Sequence, residues 1–324
     1  MTRILTRSQV KDLLDYDTCI TAVEQAFQSA RILPAGVLGT HAERGGFHVK
    51  TAGLERGDFY YVAKVNANFP RNPADRGLPT IQGALALFDA NDGRLLALMD
   101  SIEITAIRTA AATAVAAKYL ARSDSRSALI IGCGSQGRSQ LRALSRVRSI
   151  NHAIGFDSNP SLTERYATEM SAELGIIVDV VEDYRRAARS SDIVVTCTPS
   201  REPLLFPGDV SPGAFIAAVG ADNEEKQEIS AELLASSTVI ADVLDQCSVI
   251  GDLHHAIKAG VMRREDVHAE LADVVSGRKR GRSSDHQIIV FDSTGTALED
   301  VAAASVVYER AVSRGIGTEI MLGA

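Results

Sequence analysis

Several polar side chains of this 324-residue chain sit where their neighbours make them costly to place. Lys64 lies inside YYVAKVNANFP, a run otherwise apolar enough to be buried. A buried ammonium needs a carboxylate or carbonyl partner, or its pKa falls. The competing reading is an outward lysine on an exposed strand. Arg108 lies in AIRTAAATA, with alanines on every helical face. A guanidinium so placed either binds a ligand carboxylate in bidentate fashion or forms a structural ion pair. His48 and Lys50 alternate in GFHVKTAG, so on a strand they share one face, as a ligand-facing pair or a solvated cationic edge. Thr80 is a loop hydroxyl in GLPTIQG. Asp222 follows the apolar run of AFIAAVGADNEEKQEI, at the rim where open parallel sheets bind ligands. A carboxylate there can exchange a proton with an amine, stabilise an iminium, or simply cap a turn.

A second constellation is SALIIGCGSQGRSQL, residues 127–141, with three glycines spaced G-x-G-x-x-G. The spacing alone is weak, but its context is that of a dinucleotide loop. ALII reads as a buried strand, Gly132 allows a tight turn, and Gly134 allows close approach to a pyrophosphate. Gly137 lets the following helix pack on the strand with its N-terminus toward the phosphates. The expected acid at the end of the second strand is Asp157, in HAIGFDSN, twenty positions after Gly137. Its carboxylate would accept bonds from the ribose hydroxyls and repel a 2′-phosphate, which favours NAD(H) over NADP(H). A helix N-cap is the plainer role for the same residue.

The elements that must hold these groups follow from periodicity. Residues 8–31 have one apolar helical face. From 46 to 99, short alternating runs separated by Gly, Pro, Asn and Asp predict a mostly antiparallel sheet, with DANDGR as a hairpin turn. Residues 103–121 are alanine-rich and strongly helical. Beyond them the pattern becomes strand–helix alternation, with strands expected at 128–131, 153–156, 176–180, 193–196, 214–218 and 238–241. QIIVF at 287–291 precedes a last helix over roughly 296–314. The predicted fold class is α/β: a Rossmann-type doubly wound parallel sheet plus an α+β substrate-binding and dimerisation domain.

Composition narrows the partners. A net charge of −7 and a pI near 5.6 argue against nucleic acid and anionic membranes. The basic cluster GRKRGR (277–282) is glycine-interrupted and reads as a solvated loop. Four cysteines, Cys19, Cys133, Cys197 and Cys247, are widely spaced and form neither a disulfide framework nor a zinc motif. His254 and His255 are adjacent and would diverge on a helix, so no metal is expected. The charged start MTRILTRSQVKDLLD does not read as a signal peptide, and no apolar run reaches membrane-spanning length; a cytoplasmic protein is expected.

Taken together, AKVNANFPRN, GLPTIQG, AIRTAAATAVAAKYLAR, LIIGCGSQGRSQ, VGADNEEKQEI and VFDSTGTALEDVA resemble, in this order, the ornithine cyclodeaminase/μ-crystallin family. The resemblance runs from about residue 60 to the C-terminus. It implies a homodimer whose residues 1–119 with 296–324 form the substrate-binding and dimerisation domain, and whose residues 120–295 form the NAD-binding Rossmann domain. By position, Lys64, Thr80 and Arg108 fall on residues that hold the substrate α-carboxylate, and Asp222 on the carboxylate that handles the amine. Gly132, Gly134, Ser135, Gln136 and Asp157 fall on the dinucleotide loop and ribose acid. Thr196, Thr198, Val219 and Ser293 fall on the nicotinamide side.

Departures from the family point to the substrate. Where cyclodeaminases carry E-L-M-P, this chain has His48 in place of the glutamate, and Lys50 and Thr51 in place of Met-Pro. A cationic pair repels the side-chain ammonium of ornithine by ~1–4 kcal/mol in a partly dry site and attracts a second carboxylate. The family's arginine after the first helix has no counterpart in ILPAGVLG; Arg44 is the nearest substitute. The expected activity is therefore NADH-dependent reduction of a 2-imino acid, or reductive amination of a 2-oxo acid, with iminosuccinate to aspartate as the best case. Alanine formation, reduction of a cyclic ketimine or pyrroline-2-carboxylate, cyclodeamination of ornithine to proline, and non-catalytic binding of the μ-crystallin kind are the alternatives.

Overall fold

The computed structural model describes residues 1–322. It opens with β1 (Thr2–Leu5), α1 (Arg7–Leu13) and α2 (Tyr16–Gln28). The helical periodicity over 8–31 is thus interrupted: Asp15 is extended and caps α2, accepting a bond from the Thr18 amide at 2.8 Å. Next come β2 (Ile32–Ala42), β3 (Gly45–Arg56), β4 (Asp58–Asn68), the short α3 (Asn72–Arg76), β5 (Ile81–Asp89) and β6 (Leu95–Asp100). β2 has no counterpart in the sequence reading. All of it except Leu33 is exposed, so neither face imposes the alternation that marks a strand.

α4 (Ile102–Leu120) leads into β7 (Ser127–Ile131), α5 (Ser135–Val147), β8 (His152–Phe156), α6 (Pro160–Leu174), β9 (Ile177–Val180) and α7 (Tyr184–Ser190). There follow β10 (Ile193–Thr196), β11 (Phe215–Ala218), α8 (Ala231–Ala235), β12 (Thr238–Ala241), α9 (Leu244–Ile250) and α10 (Asp252–Lys258). β13 (Ala269–Glu270), α11 (Leu271–Val275), β14 (Ile289–Asp292), α12 (Ala297–Arg314) and β15 (Thr318–Ile320) complete the chain's elements.

The chain divides into two compact units: Met1–Arg108 together with Thr296 onward, and Thr109–Gly295. The division falls inside α4, whereas the sequence reading set it at 119/120, where that helix ends. In the first unit a seven-stranded sheet runs β15-β1-β6-β5-β4-β3-β2, antiparallel except where β1 meets β6. Its buried face carries Leu54, Tyr60, Val62, Leu85 and Met99, and α12 packs on β3, β4 and α2.

The second unit holds eight parallel strands in the order β13-β12-β14-β11-β10-β7-β8-β9, the doubly wound sheet the sequence predicts. The chain winds outward from β7 through β8 and β9, then crosses back so that β10 pairs with the other side of β7. That reversal opens a crevice at the strand carboxyl ends. Leu129, Ile131, Ile154, Val194, Ile216 and Val290 form its core with Leu233, Leu234 and Leu253. The basic run 277–282 departs in part from a solvated loop: Arg278, Lys279 and Arg280 are exposed, but Arg282 is half-buried and donates to the Leu120 carbonyl at 2.7 Å. Its guanidinium works as a tether for the loop. Among the described residues no helix is long and apolar enough to cross a membrane.

Candidate active site

In the first unit the cations identified from sequence converge. β3 and β4 pair so that Lys50 stands directly opposite Lys64, and His48 opposite Asn66. Period-2 alternation then puts His48, Lys50, Lys64 and Asn66 on one face, the face that packs toward the core. Lys64 is only 2% exposed, Lys50 7% and Arg108 5%. Two carboxylates that the sequence reading did not single out meet them from the first turn of α12. Lys64 Nζ lies 2.6 Å from Asp300 Oδ2. Arg108 donates through Nε to Asp300 at 2.8 Å and through Nη1 to Glu299 at 2.7 Å.

Arg108 is therefore held by the chain's own carboxylates, and Lys64 is the buried, partnered lysine rather than the outward one. Burial drives Lys64 down to about 7; Asp300 opposes the shift, while Arg108 and Lys50 add to it. Burial also works against the charge on Arg108, yet Asp300 and Glu299 outweigh it and raise its pKa. Asp300 is lowered: Lys64 and Arg108 overcome its desolvation. LEDVAAASVV sets the two acids at the head of an otherwise apolar helix, where first-turn acids are ordinary, so no local signal marks them as inward-facing. Thr80 is half-buried just before β5, where Asn68 pairs with Ile81, and its carbonyl accepts from the Phe69 amide at 2.8 Å.

In the second unit the glycine loop occupies the carboxyl end of β7. Each glycine has its own reason. Gly132 has φ 106°, and a Cβ there would lie 2.8 Å from the Cys197 carbonyl oxygen. A Cβ on Gly137 would lie 2.1 Å from the Gly132 carbonyl oxygen. A Cβ on Gly134 would meet nothing within 4 Å, so this backbone faces open space that a ligand can approach. Ser135, exposed, and Gln136, half-buried, begin α5. Asp157 stands half-buried just past the end of β8 and accepts from the Cys133 amide at 2.9 Å and the Asn159 amide at 3.0 Å. The N-cap of α6 is Asn159, so Asp157 is not that cap.

Beside this loop are the ends of β10, β11 and β14. Thr196 and Ser293 are buried, Thr198 is half-buried and Val219 is 9% exposed. The buried Ser293 hydroxyl has no hydrogen-bond partner among the described residues, the mark of a group kept for something else. Asp222 is partly exposed and pairs with Lys226 Nζ at 2.7 Å. The turn there is capped by Asn223, whose Oδ1 accepts from the amides of Glu225 and Lys226. Cys133 and Cys197 flank the loop as thiols, both pushed up by burial. His255 Nε2 donates to the Lys226 carbonyl at 2.9 Å. Among the described residues no cluster of His, Cys, Asp and Glu is set to hold a metal.

The second unit thus has the parts that a dinucleotide needs: open backbone at Gly134, a positive-φ turn at Gly132 and an unspent hydroxyl at Ser293. The first unit has a buried cluster in which Lys50, Lys64 and Arg108 meet Asp300 and Glu299. The sequence pattern of the ornithine cyclodeaminase/mu-crystallin family matches residues 1–315. The chain belongs to this family. An archaeal alanine dehydrogenase dimer with bound NAD is 38% identical, with 99% of each chain covered and a TM-score of 0.93. A Thermococcus litoralis Δ1-pyrroline-2-carboxylate reductase in complex with NADH and L-proline is 35% identical, covering 98% of this chain and 100% of the other, with a TM-score of 0.93. The iminosuccinate reductase of Paracoccus denitrificans, in complex with NAD⁺, is 30% identical over 99% of each chain, with a TM-score of 0.90.

The resemblance to the ornithine cyclodeaminase/mu-crystallin family led to the expectation that Arg44 is the nearest substitute for an arginine after the first helix. Arg44 lies in the turn between β2 and β3 and lines a pocket of about 280 Å³ with Arg71, Arg76 and Gln82. Ala67 and Gln82 also line this pocket and pair across β4 and β5. Ala67 is three positions from Lys64 on β4, so it points to the opposite sheet face. Arg44 is therefore not a neighbour of the Lys50–Lys64 pair.

Proposed function

We propose that this chain is an NADH-dependent reductase of 2-imino acids, working reversibly as an amino-acid dehydrogenase, with iminosuccinate to L-aspartate as its preferred reaction. The observation that carries this reading is the buried Lys50–Lys64 cross-strand pair with Arg108 beside it. The glycine loop, with Ser135 and Gln136 at the helix N-terminus and Asp157 as ribose acid, would hold the dinucleotide; the Ser293 hydroxyl would serve its nicotinamide end. When bound, NADH supplies the hydride that reaches Cα of the imino acid.

The remaining work falls to side chains. Lys64 and Arg108 fix the α-carboxylate, with Thr80 assisting; Asp300 and Glu299 hold both cations in place. Asp222, as a carboxylate, stabilises the iminium nitrogen; hydride addition at Cα gives the neutral amine, which takes its last proton from solvent relayed through the partly exposed Asp222. Lys50 and His48 meet the distal carboxylate of a dicarboxylic substrate. Relatives named for iminosuccinate, alanine and pyrroline-2-carboxylate chemistry support the imine class. The basic pair supports the dicarboxylate within it.

The assay mixes protein, NADH and ammonia with oxaloacetate, pyruvate or glyoxylate and follows nicotinamide absorbance; pyrroline-2-carboxylate is tested in parallel. Oxaloacetate is expected to turn over fastest. Lys50→Met should lower kcat/KM for oxaloacetate by about tenfold or more, an ion pair's worth in a partly dry site, and pyruvate by less than about threefold. Equal losses on both would remove Lys50 from the distal carboxylate. Ornithine turnover with catalytic NAD⁺ and no net NADH change would replace the whole reading with cyclodeamination.

A further inference from the structure

One buried acid in the second unit is absent from every role assigned so far. Glu228 is 0% exposed, and its carboxylate accepts four hydrogen bonds. Oε1 receives the Thr198 amide at 2.6 Å and the Thr198 hydroxyl at 2.7 Å. Oε2 receives the Thr196 hydroxyl at 2.7 Å and the Gly220 amide at 2.7 Å. These donors belong to two different segments: Thr196 ends β10 with Thr198 two residues beyond it, and Gly220 follows β11. One carboxylate therefore joins the ends of two adjacent strands at the ligand rim of the sheet.

The approach is close enough to exclude alternatives. A Cβ on Gly220 would lie 2.5 Å from the Glu228 carboxylate, so the glycine is what lets the amide reach it. Glu228 is itself anchored. Its amide and that of Ile229 donate to Asp252 Oδ1 at 2.7 and 2.8 Å. The amide of Leu253 in turn donates to Asp292 Oδ2 at 2.9 Å, and Asp292 ends β14 next to Ser293. Three buried acids thus run behind the ends of β10, β11 and β14. Thr196 is buried and its hydroxyl proton goes to Glu228.

We propose that Glu228 is a positioning residue for the nicotinamide end of the bound dinucleotide, clamping Thr196, Thr198 and the Val219–Gly220 segment into one rigid rim. The inference rests on the NAD(H) reading above and goes beyond it, because Glu228 would act without touching the cofactor. The adenosine end is served by other residues, Asp157 and the glycine loop. A defect at Glu228 should then be felt by the nicotinamide end alone.

That asymmetry supplies the test. Affinities for NADH and for ADP-ribose, which lacks nicotinamide, are measured by calorimetry on the full chain and on Glu228→Gln. The amide variant turns an NH₂ group toward one of the amide donors and should lower NADH affinity about tenfold, one carboxylate acceptor's worth. ADP-ribose affinity should stay within about twofold, and kcat should fall with little change in imino-acid KM. Thr196→Val removes one of the four bonds with almost no change in shape. It should show the same asymmetry at about threefold, and it carries the test should Glu228→Gln not fold. Parallel losses of NADH and ADP-ribose affinity would make Glu228 a general structural residue and overturn the proposal, as would unchanged NADH affinity in both variants. Failure of the unmodified chain to bind either ligand would instead overturn the cofactor reading.

Discussion

Lys64 concentrates the electrostatics of the first unit. Its ordinary pKa of 10.5 falls to about 7, first through burial, with Asp300 opposing. The sign matters for both stability and binding. Between about pH 7 and pH 10.5 the unfolded chain keeps this proton while the native chain releases it, so Lys64 contributes stability that rises with pH across that window. A bound carboxylate has the opposite preference, because it favours the charged lysine. Binding should then take up a proton, and affinity for a carboxylate substrate on the NADH-loaded protein should weaken as pH rises from about 6 to 8. Calorimetry in two buffers of different ionisation enthalpy reads the uptake directly. Proton uptake that persists undiminished in Lys64→Arg would assign it to another group. Sequence reasoning reached Lys64, Arg108, His48 and Lys50 because cations in apolar runs are conspicuous. It missed Glu299 and Asp300 because acids in the first turn of a helix are ordinary there, and nothing local reveals that they turn inward.

At the scale of elements, the glycine loop shows how much of a motif is steric. Gly137 is held by the 2.1 Å approach that a Cβ would make to the Gly132 carbonyl oxygen, a backbone atom that cannot step aside. Gly137→Ala should push α5 away from β7, costing about 1–3 kcal/mol of stability and lowering NADH affinity. Gly134→Ala, with open space around it, should leave stability within about 0.5 kcal/mol and affect only ligand binding. Thermal denaturation with and without NADH separates the two; equal destabilisation by both would refute the steric assignment. The central strands of the doubly wound sheet were legible because both faces are buried and each reads as a continuous apolar run; the two-residue edge strand β13 had no counterpart in the sequence reading. β2 was not, since almost all of it is exposed, and the break between α1 and α2 was hidden inside one continuous apolar periodicity.

At the scale of the whole molecule, exposed apolar residues gather on strands β2 to β4. Ile32 is 50% exposed, Val37 46%, Leu38 63%, Phe47 45% and Val65 44%. By the strand register Leu38, Phe47 and Val65 share the sheet face opposite Lys50 and Lys64, while Ile32 and Val37 lie on the other. A homodimer through the Leu38–Phe47–Val65 face, with a second copy of the chain as the family resemblance implies, is the expected solution state. Leu38→Asp with Val65→Asp should shift sedimentation from dimer to monomer; a wild-type chain that sediments as a monomer would refute it. By itself the sequence determined the two fold types, the glycine loop with its acid, and the chemistry of the cations, because each rests on local spacing or on a residue type that its neighbours cannot tolerate. Only the tertiary structure decided which charges meet. The β3–β4 register set Lys50 against Lys64, α12 returned from the far end of the chain to neutralise Arg108, and Glu228 tied two strand ends together. Those pairings join residues up to 192 positions apart, and no local pattern records a partner at that distance.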